Sequence, residues 1–397
     1  IMANVSSSNG LEKRPKLRFP GFDEPWQSTL LSSVFTKNTK KNTDGQITNV
    51  ICNSAKQGLI PQREYFDKDI ANSDNTSGYY IIEENDFVYN PRKSADAPYG
   101  PISRYKYAEA GIVSPLYLCF RAKKEINPSF FEWYFRSSAW HRYVYMSGDS
   151  GARHDRVSIK DDTFFAMPIN LPSAHEQEHI ASFLERIDQR IEKQRALVES
   201  LKKYKRGLVK ALISGTVAFA CSENKRWETV RLAEIFTISA GGDIDRQNSS
   251  PTYSTSYPYP VYANALTNNG LYGYANYFKV EGDSITVSGR GEVGHAIARH
   301  CKYVPIVRLL SLVPKYEDDV DFFAYMINAT SIYIESTGVP QLTSPQLGAV
   351  KVFRPPILEQ KRISSLLLKI DAKIENEERL TFYLEKIRSS MLQQLFI

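Results

Sequence analysis

Three residues near the middle of the chain have the types and spacing of a zinc site. His175, Glu176 and His179 lie in the stretch His-Glu-Gln-Glu-His. On a helix, two histidines four positions apart face the same way, so both could bind zinc while the intervening glutamate acts as the general base of a peptidase. The pattern alone therefore predicts a zinc peptidase, and the elements that position these side chains decide whether it is reasonable.

A second pattern, Gly289 to Gly294, has the G-x-G-x-x-G spacing of a dinucleotide-binding loop. Such a loop follows a strand and opens a helix. Here residues 284–288 favour a strand, but residues 295–299, His-Ala-Ile-Ala-Arg, alternate in polarity and favour a second strand. The sequence therefore predicts a strand-turn-strand hairpin in which the glycines serve the turn.

The composition is typical of a folded protein with more than one domain. The chain has 397 residues, 42% of them hydrophobic, and no apolar run long enough to span a bilayer. Its four cysteines are scattered without a Cys-x-x-Cys pair, which argues against a zinc ribbon or a disulfide framework and favours the reducing cytoplasm. The formal net charge of +6 permits a polyanionic partner but does not require one.

One segment occurs twice in the chain. Residues 171–214 and 354–397 align without gaps, and both open with Pro-x-x-x-Glu-Gln-x-x-Ile. Apolar residues in both copies recur with the 3.5-residue spacing of a coiled coil, which predicts two long helices that pair antiparallel. The residues expected in the seam between them are Ile180, Leu184, Ile187, Ile191, Leu201, Ile363, Leu367, Ile370, Ile374 and Leu384.

Two antiparallel registers are compatible with the polar residues in this seam. One places Gln194 opposite Arg388. The same register pairs the charges of Lys205 and Glu377. The alternative is shifted by one heptad, overlaps the helices more fully and leaves Arg388 facing Ile187. We favour the fuller overlap, and a pair between Lys205 and Glu377 would contradict it.

The repeat also argues against the zinc hypothesis. The second copy keeps Glu359 and Gln360 at the positions of Glu176 and Gln177, but it has neither histidine. The helix therefore does not need the histidines, and a solvated first helical turn is the better interpretation.

The segments before the two helices are also similar to each other. Trp26 and Trp227 begin the same apolar spacing, and residues 50–60 are similar to residues 261–272. Both segments mix short β-rich runs with a few helices, which predicts α+β domains. The expected organisation is a disordered tail or expression scar (1–15), a first domain (16–172), a central helix (173–214), a second domain (215–354) and a C-terminal helix (355–397).

Polar, glycine-rich loops occur in both predicted domains. Asn and Gln can read adenine edges, Arg can read guanine, and Gly with Lys lets the backbone approach phosphates. A single loop of this kind is more often an ordinary surface loop, but its recurrence in both halves favours DNA recognition. The residues predicted to contact DNA are Asn53, Lys56, Gln57, Arg92, Lys93, Arg153 and Arg156 in the first domain and Asn264, Asn268, Asn269, Arg290 and Gln341 in the second.

These features together resemble one known family. They are Leu-Arg-Phe-Pro-Gly-Phe at residues 17–22 followed by Trp26, the Pro-x-x-x-Glu-Gln-x-x-Ile opening of both helices, and a half-repeat that covers residues 16–397. The ordered set is similar to the DNA-specificity subunit of type I restriction-modification systems.

The resemblance implies two target-recognition domains held apart by two antiparallel helices, each domain reading one half of a split, asymmetric DNA site. It implies no catalysis and no cofactor in this chain. Two methyltransferase subunits would bring S-adenosylmethionine and flip an adenine, and motor subunits that use ATP and Mg would complete the endonuclease. The alternatives are a stand-alone coiled-coil DNA-binding or scaffolding protein and, least favoured, the zinc peptidase.

Overall fold

The chain folds as two compact units that each contain strands and helices. The computed structural model describes residues 3–4, 14–65, 76–148, 155–213, 227–330, 332 and 341–397. Unit 1 comprises Ile1–Gln194 and Leu380–Ile397, and unit 2 comprises Arg195–Arg379. The mixture of strands and helices confirms the α+β prediction.

The main sheet of unit 1 has four antiparallel strands, in the order Phe35–Lys37, Leu118–Ala122, Phe87–Tyr89 and Ile102–Arg104. The last two form the first hairpin. Further strands of unit 1 are Ala3–Asn4, Leu17–Arg18, Gln27–Leu30, Ile51–Ser54, Gly58–Pro61, Tyr80–Ile82, Gly111–Val113 and Pro168–Leu171. Its short helices are Leu31–Val34, Gln62–Tyr65, Pro128–Arg136, His141–Ser147 and Asp161–Phe165.

The main sheet of unit 2 has the same number and order of strands. Its four antiparallel strands run in the order Phe236–Ala240, Leu310–Pro314, Ser284–Val287 and Ala296–Arg299, and the last two form the second hairpin. A second sheet contains Ser249–Ser250, Leu271–Ala275, Tyr259–Tyr262 and Val304–Pro305. Glu228–Arg231 and Lys351–Arg354 also pair, and the short helices are Leu232–Ile235, Val320–Ala329 and Ser344–Gly348. Thr267–Gly270 is a turn with non-helical backbone at its two asparagines.

The strand pairs that lead into the long helices show the repeat most directly. Gln27–Leu30 pairs with Pro168–Leu171 just before the first long helix. Glu228–Arg231 pairs with Lys351–Arg354 just before the second. Since the main sheets also share one strand order, the similarity between the halves that the sequence predicts is confirmed.

The N-terminal segment is partly paired. Ala3–Asn4 lies antiparallel to Leu17–Arg18, with Ala3 opposite Arg18. Two residues of the tail that the sequence predicts to be disordered are therefore part of a strand pair.

The two long helices span Ala174–Ile213 and Ile357–Leu395. At both starts the Gln of the repeated motif bonds back to the motif's Pro carbonyl: Gln177 Nε2 donates to Pro172 O at 3.1 Å, and Gln360 Nε2 to Pro355 O at 2.9 Å. These bonds satisfy backbone oxygens where each chain segment enters its helix, which explains why Pro and Gln occur together in both copies.

The ends of the long helices pack into the cores of the units. In unit 1, Ile180 and Leu184 share a core with Leu395 and Phe396, and the Phe396 ring lies 5.5 Å from that of Phe130. In unit 2 the core likewise combines residues from both helices, namely Ile363, Leu367, Leu212 and Ile213. Of the ten predicted seam residues, six are buried (Ile180, Leu184, Ile191, Ile363, Leu367, Ile374) and four are half-buried (Ile187, Leu201, Ile370, Leu384).

Ion pairs between the helices identify their register within each unit. In unit 1, Arg388 pairs with Asp188, the neighbour of Ile187. In unit 2, Lys205 Nζ lies 2.5 Å from Asp371 Oδ1, six residues before Glu377. Both pairs follow the register with the fuller overlap, which is therefore confirmed.

The long helices carry charged residues throughout their length. Within the described ranges, no helix combines the length and the apolar character that a membrane crossing needs.

Candidate nucleic-acid interface

The first hairpin presents residues 90–100 as a loop at one edge of unit 1. Asn90 N donates to Pro101 O at 3.0 Å and closes the loop. Gly100 has φ +81°, and a Cβ there would overlap the carbonyl oxygen of Asn90. Because other residues rarely adopt this conformation and none would fit beside that oxygen, only glycine suits the point where the loop closes.

Asn53 holds this loop from inside the unit. Its side chain is buried, and its Nδ2 donates to Val88 O at 2.8 Å. Its Oδ1 accepts from Ser103 Oγ at 2.7 Å, and its backbone oxygen accepts from Asn90 Nδ2 at 3.2 Å. With its amide used in this way, Asn53 positions the loop, and its burial does not fit the DNA contact predicted from the sequence.

Three basic residues predicted to contact DNA lie in this loop or next to it. Arg92 and Arg156 form an isolated β-bridge, and Lys93 N donates to Asp155 O at 2.8 Å. Arg92 and Lys93 are exposed, while Arg156 is half-buried. The fold thus brings Arg156 next to Arg92 and Lys93. Arg153 lies outside the described residues.

Lys56 and Gln57 lie on the exposed turn between Ile51–Ser54 and Gly58–Pro61. Lys56 Nζ is 3.6 Å from Asp96 Oδ2, and both side chains are well exposed. An exposed pair of this kind contributes little stability, but it shows that the turn lies next to the loop of the first hairpin. All the described candidates of unit 1 are therefore neighbours.

The second hairpin lies where the sequence predicts a strand-turn-strand element, and it confirms that prediction. Ser284–Val287 and Ala296–Arg299 pair antiparallel, and Ser288 N donates to His295 O at 2.9 Å. Gly294, at φ +88°, closes this loop as Gly100 closes the first.

Asn264 holds the hairpin loop of unit 2, as Asn53 holds that of unit 1. Its Oδ1 accepts from Gly289 N at 2.8 Å, and its Nδ2 donates to Val307 O. The side chain is half-buried. Asn264 therefore joins two loops at the edge of unit 2, and this leaves its amide less free for DNA than the sequence suggests.

Arg290 and Gln341, both predicted to contact DNA, touch each other. Arg290 Nη2 donates to Gln341 Oε1 at 3.0 Å, and the arginine is exposed. Arg290 is the third residue after the first strand of its hairpin, as Arg92 is in unit 1. The two arginines thus stand at corresponding places on the two units.

Asn268 and Asn269 form an exposed left-handed turn. Both have φ of 51°, and the next residue, Gly270, has φ +78°. Asn tolerates this conformation better than most residues, although three in succession require outside support. Part of it comes from Ala263 N, which donates to Gly270 O at 2.8 Å.

Sequence reasoning missed a strained loop and a buried cation in unit 2. Val307 and Arg308 have φ of 50° and 60°, which is unusual for a β-branched residue, and Arg308 N donates to Gly241 O at 2.9 Å. The Gly-Gly pair at 241–242 was the available signal, because a Cβ on Gly241 would meet Pro305 O at 2.6 Å. The buried cation is Arg299, whose pKa is lowered by burial.

The structure gives the His-Glu-Gln-Glu-His stretch a different role from zinc binding. Glu176, which would have to be the general base, is buried and bonds to Arg18 through both carboxylate oxygens at 2.8 Å. The rings of His175 and His179 lie edge-to-face with Phe22, at 5.4 and 5.2 Å. Among the described residues no group of three His, Cys, Asp or Glu side chains could hold a metal ion.

The family model described as type I restriction modification DNA specificity domain matches residues 24–202 and 224–386. A Mycoplasma pneumoniae protein that carries the name of a type I specificity subunit, S.MpnORF507P, is 25% identical over 62% of this chain and 64% of its own length. A Methanocaldococcus jannaschii protein named for the MjaX specificity subunit of a type I restriction enzyme is 27% identical over 61% of each chain. The match thus spans less than two thirds of these curated relatives.

Solved structures match over nearly the whole chain. The S subunit of a type I restriction-modification system from M. genitalium has a TM-score of 0.58 at 17% identity, covering 97% of this chain and 99% of that one. The HsdS subunit from Thermoanaerobacter tengcongensis has a TM-score of 0.54 at 17% identity, covering 98% of both chains. At this identity the likeness shows a shared fold.

Proposed function

The chain belongs to the family of type I restriction-modification DNA specificity proteins, and we propose that it is the non-catalytic subunit that selects the DNA sequence on which such a system acts. In this proposal each unit reads one half of a split, asymmetric site. The subunit binds double-stranded DNA in the cytoplasm.

The observation that carries this proposal is the paired placement of Arg92 and Arg290. Both follow the first strand of a hairpin at the same distance, both are exposed, and an internal asparagine, Asn53 or Asn264, holds each loop. An arginine so placed can make the two parallel hydrogen bonds that identify guanine in the major groove.

The neighbours of the two arginines differ, which suits two different half-sites. Arg92 lies beside Lys93 and Arg156, so unit 1 presents a cluster of cations. Arg290 instead bonds to the amide of Gln341. The predicted contacts Lys56 and Gln57 in unit 1 and Asn268 and Asn269 in unit 2 are all exposed and belong to the same proposal.

The proposed partners are two methyltransferase subunits and, in the complete system, motor subunits that use ATP and Mg. The methyltransferases would bring S-adenosylmethionine to the target adenine. Large apolar side chains on the long helices support a docking role, because exposed apolar groups are common where partners bind. They are Leu197, Tyr204, Leu380, Phe382, Tyr383 and Ile387.

The test is to co-express the chain with its neighbouring methyltransferase subunit in a host without DNA methylation and to map N6-methyladenine by single-molecule sequencing. We expect methylation at a split motif. Arg92→Ala should relax one half of the motif and Arg290→Ala the other.

A complex that forms but modifies no adenine would refute the proposal. The chain would then be better described as a stand-alone coiled-coil DNA-binding or scaffolding protein. Relaxation of the same half by both arginine variants would refute the division of the site between the units.

A further inference from the structure

Arg299 is a buried cation that faces tyrosines and a cysteine. It ends the second strand of the second hairpin and is 7% exposed. Burial lowers its pKa, while Tyr262, Tyr303 and Cys301 beside it act in the opposite direction. Burying a charge is costly, so the contacts that Arg299 makes must offset that cost.

Its contacts tie three separate elements together. Arg299 Nε donates to Thr286 Oγ1 at 2.9 Å, and Nη2 donates to Asn269 O at 2.7 Å. The guanidinium carbon lies 3.7 Å from the centroid of the Tyr262 ring, within cation–π distance. The planar fork of arginine can satisfy the hydroxyl and the carbonyl while it stacks on the ring, which a lysine cannot do.

The element that Arg299 supports is strained. Asn268 and Asn269 adopt the left-handed conformation in succession, and the carbonyl of Asn269 is the one that accepts from Arg299. Strained backbone persists where surrounding contacts over-determine it, and it concentrates at functional sites. Arg299 supplies such a contact, because its guanidinium bonds to the backbone of the turn.

Unit 1 has a different arrangement at the corresponding place. Tyr105 follows the second strand of the first hairpin there, and its hydroxyl donates to Glu109 O at 2.7 Å. It packs in an apolar cluster with Ile51 and Val88. The arginine is thus a feature of one unit and not of the common scaffold.

We propose that Arg299 is a positioning residue that locks the Asn268–Asn269 turn in the conformation with which unit 2 reads base edges. This inference rests on the proposed function and adds a determinant of the half-site that unit 2 reads. Arg299 acts through the turn, so its loss should reduce base discrimination in the half-site that unit 2 reads. Discrimination in the other half-site should not change.

The test compares Arg299→Met with a matched control, Arg354→Met, in the methylation assay. Arg354 belongs to the same unit but bonds to Asp318, at 2.9 and 3.0 Å, near the start of the second long helix. We expect Arg299→Met to raise methylation of sites with a mismatch in one half about tenfold, the scale of one lost base discrimination. Arg354→Met should lower thermal stability without changing the motif.

A second variant covers the case in which Arg299→Met does not fold. Arg299→Lys keeps the charge but not the fork, so it should relax the same half to a smaller degree. A motif that stays unchanged in the soluble variants would overturn the inference, as would equal relaxation of both halves. If the wild-type protein gives no split motif, the proposed function fails and this inference fails with it. A wild-type split motif that Arg299→Met leaves intact refutes the inference alone.

Discussion

Arg18 and Glu176 form a bidentate ion pair in the interior of unit 1. Nε and Nη2 of the arginine each lie 2.8 Å from a carboxylate oxygen, and the side chains are 4% and 1% exposed. In unit 2 the corresponding Glu359 accepts instead from Trp227 Nε1 at 3.1 Å. In both units, therefore, the Glu of the repeated motif fastens the first turn of a long helix to a side chain much earlier in the chain.

Arg18→Ala should lower the free energy of unfolding of unit 1 by about 3 to 5 kcal/mol, because it leaves the Glu176 carboxylate buried without its partner. Chemical denaturation of the full chain measures this loss.

The matched control is His175→Ala with His179→Ala, which changes exposed residues of the same turn. We expect the lost ring contacts with Phe22 to cost about 0.5 to 1.5 kcal/mol, clearly less than the Arg18→Ala loss, and no loss of bound metal by elemental analysis. Zinc that is bound stoichiometrically by the wild-type protein and lost in this double variant would support the peptidase hypothesis.

Arg290→Ala should weaken binding to the cognate DNA by about 1 to 3 kcal/mol, if the arginine contacts a base edge. Fluorescence anisotropy with cognate and scrambled duplexes at one salt concentration measures the difference. An equal loss on both duplexes would identify a phosphate contact instead. Lys302→Ala is the control, because Lys302 lies beyond the opposite end of the hairpin and pairs with Glu281 at 3.3 Å.

Asn53→Ala should lower the stability of unit 1 more than it changes the DNA specificity. The change leaves the buried oxygen of Val88 without the amide donor and the Ser103 hydroxyl without its acceptor, and each such loss costs about 1 to 3 kcal/mol. The exposed Gln57→Ala should show the reverse, with unchanged thermal stability and altered DNA binding. Loss of specificity in a fully stable Asn53→Ala protein would contradict the positioning role.

Gly100→Ala should distort the loop of the first hairpin. Strain at positive φ alone costs about 1 to 3 kcal/mol, and the new methyl group would also overlap the Asn90 oxygen. Gly45→Ala is the control, since Gly45 also has positive φ, +67°, but its Cβ would meet nothing within 4 Å. Differential scanning calorimetry should show a clearly larger loss for Gly100→Ala, and equal losses would mean that the loop accommodates the methyl group.

The stability of unit 2 should depend on pH through His300. Burial lowers the pKa of this histidine, but its hydrogen bonds to Asp283 at 2.8 Å and Asp321 at 3.1 Å outweigh burial and raise it. A group with a raised pKa stabilises fully below its unfolded value, about 6.5, and this stabilisation is lost as pH rises through the folded value.

Thermal unfolding of wild type and His300→Gln between about pH 5.5 and pH 8.5 measures this dependence. The difference between the two proteins should be largest at the acid end and shrink as pH rises. A difference that grows with pH would contradict the assignment.

The repeat, the long helices and the hairpin at Gly289 to Gly294 could be predicted from the sequence because each has its own periodicity or turn chemistry. The register of the helices could be predicted from the fuller overlap of the two helices, and the pair of Arg388 with Asp188 agrees with it. The seam prediction did not indicate that the helix ends complete the domain cores, since a coiled-coil spacing does not say which neighbour covers an apolar side chain.

The asparagines were the weakest part of the site prediction. In a sequence, Asn53 and Asn264 look like the polar loop residues Asn268 and Asn269, because side-chain type does not say whether an amide is buried. The burial of Arg299 could not be predicted for the opposite reason: it ends an alternating strand, where a charged residue usually faces solvent.

The order of synthesis gives the position of Leu395 and Phe396 a further consequence. They complete a core whose other members include Phe130 and Ile180, so that core stays open until the codons for Leu395 and Phe396 are translated. At about 5 to 20 residues per second, the ribosome needs roughly 10 to 50 s to travel from Phe130 to Phe396. Unit 2, which is continuous in sequence, can close its core sooner. A nonsense codon shortly before Leu395 would therefore damage unit 1, most of which is translated first.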